Sequence, residues 1–456
     1  MHPTLAGARI ESFWLDDPAR PERMPALAED ATCDLAVVGG GYTGLWTALL
    51  AADQGRSVVL LEGEGCGDGA SGRNGGFASA SLTHGFGNGL ERWPDELDEL
   101  DRLGAENLRE IGETVERLGI DCDYHVAGEL AVAETEADLA WLREEYDEMV
   151  ARGRDVRWLD PTEIGARGAR FLGALLEPGT ALVEPARLAW GLRQACLDAG
   201  VRIFESTWVS DLRDAGDVVV LTTAGGSVMA RRVALGTNAW KPLVRAPRSR
   251  VVPVYDYVLM SEPLSDEQWE KLGWHDGYGM ADASSVFIYY RLTRDRRILW
   301  GGYDAVYYFG GRTTEELERV PGTHERLAAM FRARFPQVAD LRWEYRWAGV
   351  IDTCSRFSAF FGLAHGGKVS YALGYTGLGV AATRFGARVM LDLLSGEETE
   401  LTRLRMVREK PLPFPPEPVR WAGITLTRRA MEKQARVGKR GPWLRMLDRL
   451  GLGFDS

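Results

Sequence analysis

Leu35-Ala36-Val37-Val38-Gly39-Gly40-Gly41-Tyr42-Thr43-Gly44-Leu45 passes from four apolar residues, through three consecutive glycines, into a mostly apolar stretch. This order predicts a buried strand over 35–38, a turn over 39–44 and a helix over 45–54, with a second buried strand over 57–61. Together they make a βαβ unit of about 30 residues. Its glycines fall as Gly39-x-Gly41-x-x-Gly44. The first permits a tight turn, the second lets the backbone approach a pyrophosphate, and the third lets the helix pack closely on the sheet. The helix start beside Tyr42 and Thr43 offers free N–H groups to an anion. Glu62 closes the second strand 18 residues after Gly44. A carboxylate there can accept both hydroxyls of an adenosine ribose and would repel a 2′-phosphate. NADP is therefore disfavoured, while FAD and NAD both stay open.

Further along, Gly69-Ala70-Ser71-Gly72-Arg73-Asn74-Gly75-Gly76 is rich in backbone donors. It reads equally as a cradle lying along a diphosphate and under a planar ring, or as a surface loop. Gly374-Tyr375-Thr376-Gly377-Leu378-Gly379 follows an apolar strand at 369–373 and opens a helix striped with Ala387, Met390, Leu391 and Leu394. A helix start at this point stabilises negative charge, such as that of a reduced flavin near N1 and its C2 carbonyl. A glycine-capped packing turn is the alternative. Residues 1–30 read as an irregular lead-in. A mostly helical block over 90–165 interrupts the α/β pattern and reads as an insertion. Strands are expected over 201–205, 208–212, 218–223 and 233–235, and alternation over 251–303 predicts a second sheet.

Composition sets the outer limits. The 456 residues, 45% hydrophobic and 26% charged, require two or three lobes and exclude general disorder and a membrane-embedded fold. A net charge of −12 argues against nucleic acid as a partner. Residues 401–456 carry 13 Lys/Arg against 5 Asp/Glu, so a basic tail follows an acidic body. The five scattered cysteines and six dispersed histidines form no disulfide frame and no metal-ligand spacing, which fits a reducing cytoplasm. No basic-then-apolar leader opens the chain.

The separated blocks resemble the D-amino-acid-oxidase-like FAD flavoproteins, and within them the gamma-glutamylputrescine oxidases. The blocks are the stretch 37–45, the 69–76 loop, Ile120-Asp121-Cys122-Asp123-Tyr124, Tyr289-Tyr290-Arg291-Leu292-Thr293 with Gly301-Gly302, Tyr345-Arg346-Trp347 with Gly349, and the 374–379 turn. The resemblance implies an α/β fold. A discontinuous Rossmann-like FAD-binding domain would comprise 30–88, 168–240 and 349–400. An α+β substrate domain on a mostly antiparallel sheet would comprise 89–167 and 241–348, and a basic extension 401–456. It implies that Gly39, Gly41, Gly44 and Glu62 hold the ADP half, that Ser71, Arg73, Asn74, Gly75 and Gly76 line the diphosphate and flavin, and that backbone groups of Gly374, Thr376, Gly377, Leu378 and Gly379 face the pyrimidine end. Where relatives often carry His in the last motif, Leu378 stands here. Where some bind FAD through Cys, the register gives Ile351, so non-covalent FAD is expected.

The implied reaction is oxidation of a small primary or secondary amine, with oxygen or another acceptor taking the electrons. Tyr257, Asp256 and Arg291 are the catalytic candidates. The aromatic strand 254–257 is expected to face the substrate through Tyr255 and Tyr257. Asp256, Asp282 and Asp352 can each pair with a cationic amine, or be exposed or structurally paired carboxylates. Arg291 and Arg346 can clamp a carboxylate or serve ion pairs. An amino-acid dehydrogenase using a quinone or protein acceptor, or a subunit with structural FAD, is the alternative. The basic tail has three readings: docking on the acidic body, contact with a second subunit of a homo-oligomer, or binding an anionic membrane, the last disfavoured by the acidic body.

Overall fold

The computed structural model describes residues 3–165, 169–274, 277–284, 287–302 and 305–449. The quoted stretch builds the centre of the first sheet. Ala31–Val38 lies between two parallel neighbours, Val58–Leu61 and Ser227–Leu235. Arg202–Phe204 extends the parallel order beyond Val58–Leu61. Ser227–Leu235 splits its free edge. Its first half pairs antiparallel with Val219–Thr222 and its second half pairs parallel with Val369–Leu373. Alternate residues of Ala31–Val38 enter two different cores. Leu35 and Val37 meet the helices Tyr42–Asp53, Pro185–Asp198 and Gly379–Ser395, whereas Ala36 and Val38 join Leu235, Phe360 and Leu373 behind the sheet. Both faces being covered explains why the strand reads as an unbroken apolar run. Each fully buried Leu or Val there stabilises the fold by about 1.5–3 kcal/mol.

The second sheet has the order Trp343–Thr353, Val252–Ser261, Ile298–Gly302, Ile288–Leu292, Gly279–Asp282, Glu129–Ala133, Gly173–Glu177, Arg157–Leu159. Every adjacent pair is antiparallel except Gly279–Asp282 with Glu129–Ala133. The expected α/β class, with its mostly antiparallel second sheet, is what the chain forms. One face of this sheet packs Tyr255, Tyr257, Trp300, Phe331 and Phe335 into a core closed by the helix Pro321–Arg334. The other face carries Val258, Met260, Leu299 and Trp347 toward Trp14 and Trp190, between the two sheets.

Three expected boundaries shift. The segment 168–240 contributes the strand Gly173–Glu177 to the second sheet, because Leu175 and its neighbours pair with Glu129–Ala133. A boundary at 349 would cut Trp343–Thr353, which pairs along Val252–Ser261 from end to end. Leu401, Leu404, Met406 and Val407 remain buried in the first core, so the chain leaves it after 407 rather than at 400. The strand expected over 208–212 instead occupies Asp211–Asp214.

The basic extension docks on the chain's own body. The Phe414 N–H donates to the Ser249 carbonyl at 2.7 Å, and Ser355 Oγ to the Leu412 carbonyl at 2.8 Å. The Glu417 carboxylate accepts from the Tyr307 hydroxyl at 2.5 Å and from the Gly310 N–H at 3.0 Å. The helix Val419–Val437 then places Trp421 edge-on to Phe309 and Ile424 against Val252, Val254 and Tyr307. Residues 450–456 of the extension lie outside the described residues. No described helix is long and apolar enough to cross a membrane. Deleting residues from 411 onward exposes this cluster, so the thermal midpoint should fall and proteolysis within 305–318 should accelerate. Calorimetry and limited proteolysis of the full and truncated chains check this. Unchanged values would show that the extension does not support that segment.

Candidate functional site

A cavity of about 1040 Å³ opens at the carboxyl ends of the parallel strands, reached by Val38, Leu61 and Gly236. Ligands of open α/β sheets bind at such a place, and the volume exceeds what a drug-sized ligand needs. The first glycine turn forms one wall. Gly39 has φ +106°, and a side chain there would put its Cβ 2.3 Å from the Gly236 carbonyl oxygen. A Cβ at Gly44 would lie 1.8 Å from the Gly39 carbonyl oxygen, so the helix Tyr42–Asp53 could not sit as close to the turn. Gly41, Tyr42 and Thr43 line the cavity and Gly44 stands behind them. Glu62 lines it too. Its Oε2 accepts the Gly40 N–H at 2.5 Å and its Oε1 the Glu64 N–H at 2.8 Å. Each carboxylate oxygen keeps a further lone pair for a ribose hydroxyl. Burial pushes the Glu62 carboxyl above its usual range, and the two N–H donors pull it back.

The 69–76 stretch is the second wall, and the cradle reading describes it better than a surface loop. Ser71 Oγ accepts the Tyr42 N–H at 3.0 Å, tying the loop to the helix start. Asn74 Nδ2 donates to the carbonyls of Ala70 and Ser71, both at 3.0 Å, and its Oδ1 accepts the Gly76 N–H at 2.8 Å. Trp347 Nε1 donates to the Arg73 carbonyl at 2.8 Å and Trp14 Nε1 to the Asn74 carbonyl at 2.9 Å. Arg73 Nε donates to the Asp68 carbonyl at 2.8 Å, and its guanidinium pairs with Glu318. Ser71, Arg73 and Asn74 line the cavity. Gly75 and Gly76 pack instead against Tyr289 and the Val183 carbonyl.

The third wall is the 374–379 turn. Gly377 and Gly379 line the cavity, beside Ile351 and Asp352. Gly374 and Thr376 lie behind them, buried, and the Leu378 N–H donates to the Tyr375 carbonyl at 3.1 Å. The lining includes no cysteine among the described residues. Cys354 is buried, with Sγ directed at the Ser358 and Gly374 carbonyls. Helix starts at Gly41–Tyr42 and Gly379, a carboxylate with free lone pairs at Glu62 and a pinned glycine loop line one cavity and are groups that could hold FAD.

The catalytic candidates divide by strand face. Register pairs Asp256 with Gly349, and a Cβ at Gly349 would sit 3.5 Å from Arg73 Cβ, so Asp256 is on the face turned toward Arg73, behind the cavity lining. Its Oδ2 accepts the Tyr289 hydroxyl at 2.5 Å, and burial pushes its carboxyl up to about 6. Tyr255 and Tyr257 face the other way. The Tyr257 hydroxyl donates to the Leu317 carbonyl at 2.7 Å and lies 2.7 Å from the Tyr308 hydroxyl, and the Tyr255 hydroxyl donates to the Thr314 carbonyl. The expectation that the two tyrosines meet the substrate is thus corrected. They hold the segment around Glu315–Glu318, which covers the cavity through Thr314, Glu315 and Glu318. Arg291 is buried, with Nη1 donating to the Val183 carbonyl at 2.7 Å and the Gly76 carbonyl at 3.3 Å. It fastens the 69–76 loop from behind and does not line the cavity. Asp282 is held by Arg334 in a bidentate pair. Arg346 sits buried near His324 in the second core.

Two groups of lining residues carried no motif. Ser12, Leu15 and Asp16 line the cavity from the lead-in, and Ser12 Oγ donates to the Gly72 carbonyl at 2.9 Å. Trp208 and Trp240 line the end beside Glu62, edge to face at 6.1 Å. Trp14, unusual in an irregular segment, was the available signal for the first group. The second had none.

A model of the FAD dependent oxidoreductase (DAO) family matches residues 34–393. The chain is 33% identical over 398 residues to gamma-glutamylputrescine oxidoreductase of Escherichia coli strain K12, a match covering 85% of this chain and 89% of that protein. It is 28% identical over 406 residues to a probable oxidoreductase, OrdL, of Haemophilus influenzae, covering 86% and 90%. Glycine oxidase from Geobacillus kaustophilus superposes with a TM-score of 0.69 at 22% identity, over 83% of this chain and 99% of that one. Replacing Glu62 by Ala removes charge-assisted acceptors for a ribose, each worth about 1.5–3 kcal/mol. FAD affinity should fall at least tenfold while far-UV circular dichroism stays unchanged. Equal affinity, measured by flavin fluorescence, would place the ribose elsewhere.

Proposed function

The chain belongs to the DAO family of FAD-dependent oxidoreductases, and from that premise we propose that it oxidises a small primary or secondary amine, of the gamma-glutamylputrescine kind or an amino acid. The observation that carries this reading is the half-buried Asp256–Tyr289 pair facing Gly75, Arg73 and Gly349, a carboxylate beside the place assigned to the flavin ring. FAD, when bound, would supply two-electron acceptance from the substrate C–H, with oxygen as the final acceptor. The overall change is R–CH2–NH2 + O2 + H2O → R–CHO + NH3 + H2O2, with the imine hydrolysed after release.

The residues bind and orient. An arriving alkylammonium must lose its proton before its nitrogen lone pair can assist C–H cleavage. Asp256 is assigned to receive that cation, and with its carboxyl raised to about 6 it takes a proton more readily than an ordinary aspartate. Tyr289, donating to Oδ2, fixes the carboxylate's direction. Glu315 and Glu318 on the covering segment are each ion-paired, with Arg319 and Arg73, so they add no net charge and Asp256 is the carboxylate left to meet a cation. Arg73, held by Asp68 and Glu318, borders the same space. FAD is held without a covalent bond, since Ile351 rather than a thiol stands at the lining. The family assignment and the scattered cysteines support a cytoplasmic location.

The test is an anaerobic panel of diamines, monoamines and amino acids scored by flavin bleaching, followed by oxygen uptake and peroxide assay against an artificial acceptor. Amines with a free cationic end should bleach fastest and yield peroxide. Bleaching with slow reoxidation by oxygen and fast reoxidation by the artificial acceptor would make the protein a dehydrogenase. Acid precipitation should leave yellow FAD in the supernatant, and flavin retained in the pellet would refute non-covalent binding.

A further inference from the structure

Asp352 is one of the least exposed carboxylates in the chain, at 3%, and nevertheless contributes to the cavity wall. Three consecutive N–H groups converge on it. Its Oδ2 accepts the Gly374 N–H at 2.5 Å, its Oδ1 the Tyr375 N–H at 3.2 Å, and its own carbonyl the Thr376 N–H at 3.0 Å. The turn so gathered is one that a chain does not adopt unaided. Gly374 has φ +81°, Gly377 +94° and the β-branched Thr376 +52°. Thr376 is held there from a second side, since Cys354 N donates to its Oγ1 at 3.4 Å and its Oγ1 donates to the Gly374 carbonyl at 3.0 Å. Asp352 is itself fixed. Its N–H donates to Asn238 Oδ1 at 3.2 Å, while Asn238 Nδ2 donates to the Val350 carbonyl at 2.8 Å.

We propose that Asp352 is a positioning residue for the reaction: its carboxylate holds the 374–379 turn in the conformation that presents the start of the helix Gly379–Ser395 to the flavin, and its charge sets how strongly that helix start stabilises the reduced ring. The proposal rests on the FAD reading above. A helix start stabilises one nearby negative charge well, and a second charge competes for the same dipole. An ionised Asp352 therefore opposes accumulation of negative charge on the reduced flavin, and a protonated one does not. Burial pushes the Asp352 carboxyl up to about 7, so its charge changes within the working range of an enzyme. The titratable groups that act on it are Cys354 beyond its own strand end and Tyr375 in the turn, both kept protonated by burial. Val252–Ser261 sets Pro253 opposite it, and the segment after Leu235 brings the neutral Asn238.

The experiment is spectroelectrochemical reduction of purified holoprotein between pH 5.5 and 8.5, comparing the wild type with Asp352→Asn. At pH 8 the variant should be easier to reduce, by at least tenfold in the reduction equilibrium constant. At pH 5.5 the two should agree within twofold. Coincident potentials at every pH, with FAD still bound, would reduce Asp352 to a turn-packing role and overturn the proposal. If Asp352→Asn purifies folded but without FAD, Asp352→Glu decides. Retention of FAD with a wild-type pH profile supports the proposal, and a folded but empty Glu variant overturns it. A wild type that neither carries nor takes up FAD would overturn the cofactor reading and this proposal together.

Discussion

The contact between the Gly39 carbonyl and the backbone of Gly44 governs the whole cofactor cleft. No side chain fits between them, so the helix Tyr42–Asp53 starts directly at the end of the strand Ala31–Val38. That start places Gly41, Tyr42 and Thr43 on the cavity wall and lets Ser71 reach the Tyr42 N–H. The 69–76 loop is then positioned by that hydrogen bond, and through the loop Arg73 and Trp347 tie the second sheet to the first. A small steric permission at one glycine is thus transmitted across two sheets by directional hydrogen bonds.

Much of this was legible in the residues. The motif from Gly39 to Glu62 is local, and its spacing carries the geometry, because strand, turn and helix follow one another without interruption. The 374–379 turn was legible for the same reason. The faces of the strand Val252–Ser261 were not. Alternation says which residues share a face, but nine of its ten residues are buried, so hydrophobicity cannot say which face meets the cavity. Tyr255 and Tyr257 were therefore assigned to the cavity side, whereas they face the other way and Asp256 lies on the face toward Arg73.

The remaining gaps arise from contacts distant in sequence. Ser12 meets Gly72 across 60 residues, and Arg73 meets Glu318 across 245. Neither pair has a local signature. Asp352 shows the difficulty most clearly. Its residue type invited an ion-pair reading, whereas its carboxylate's partners are two backbone N–H groups, which no composition or spacing records.

The first sheet joins Ala31–Val38 to Val369–Leu373 through the intervening Ser227–Leu235. Its two cavity-forming ends thus lie at nearly opposite ends of the polypeptide. Translation proceeds at roughly 5–20 residues per second. The N-terminal half of the cradle therefore waits on the order of tens of seconds on the ribosome before its counterpart is made. During that interval the wall formed by Gly39–Glu62 exists without the wall formed by the 374–379 turn. The cavity is therefore complete only once the strand Val369–Leu373 and the turn after it have been made.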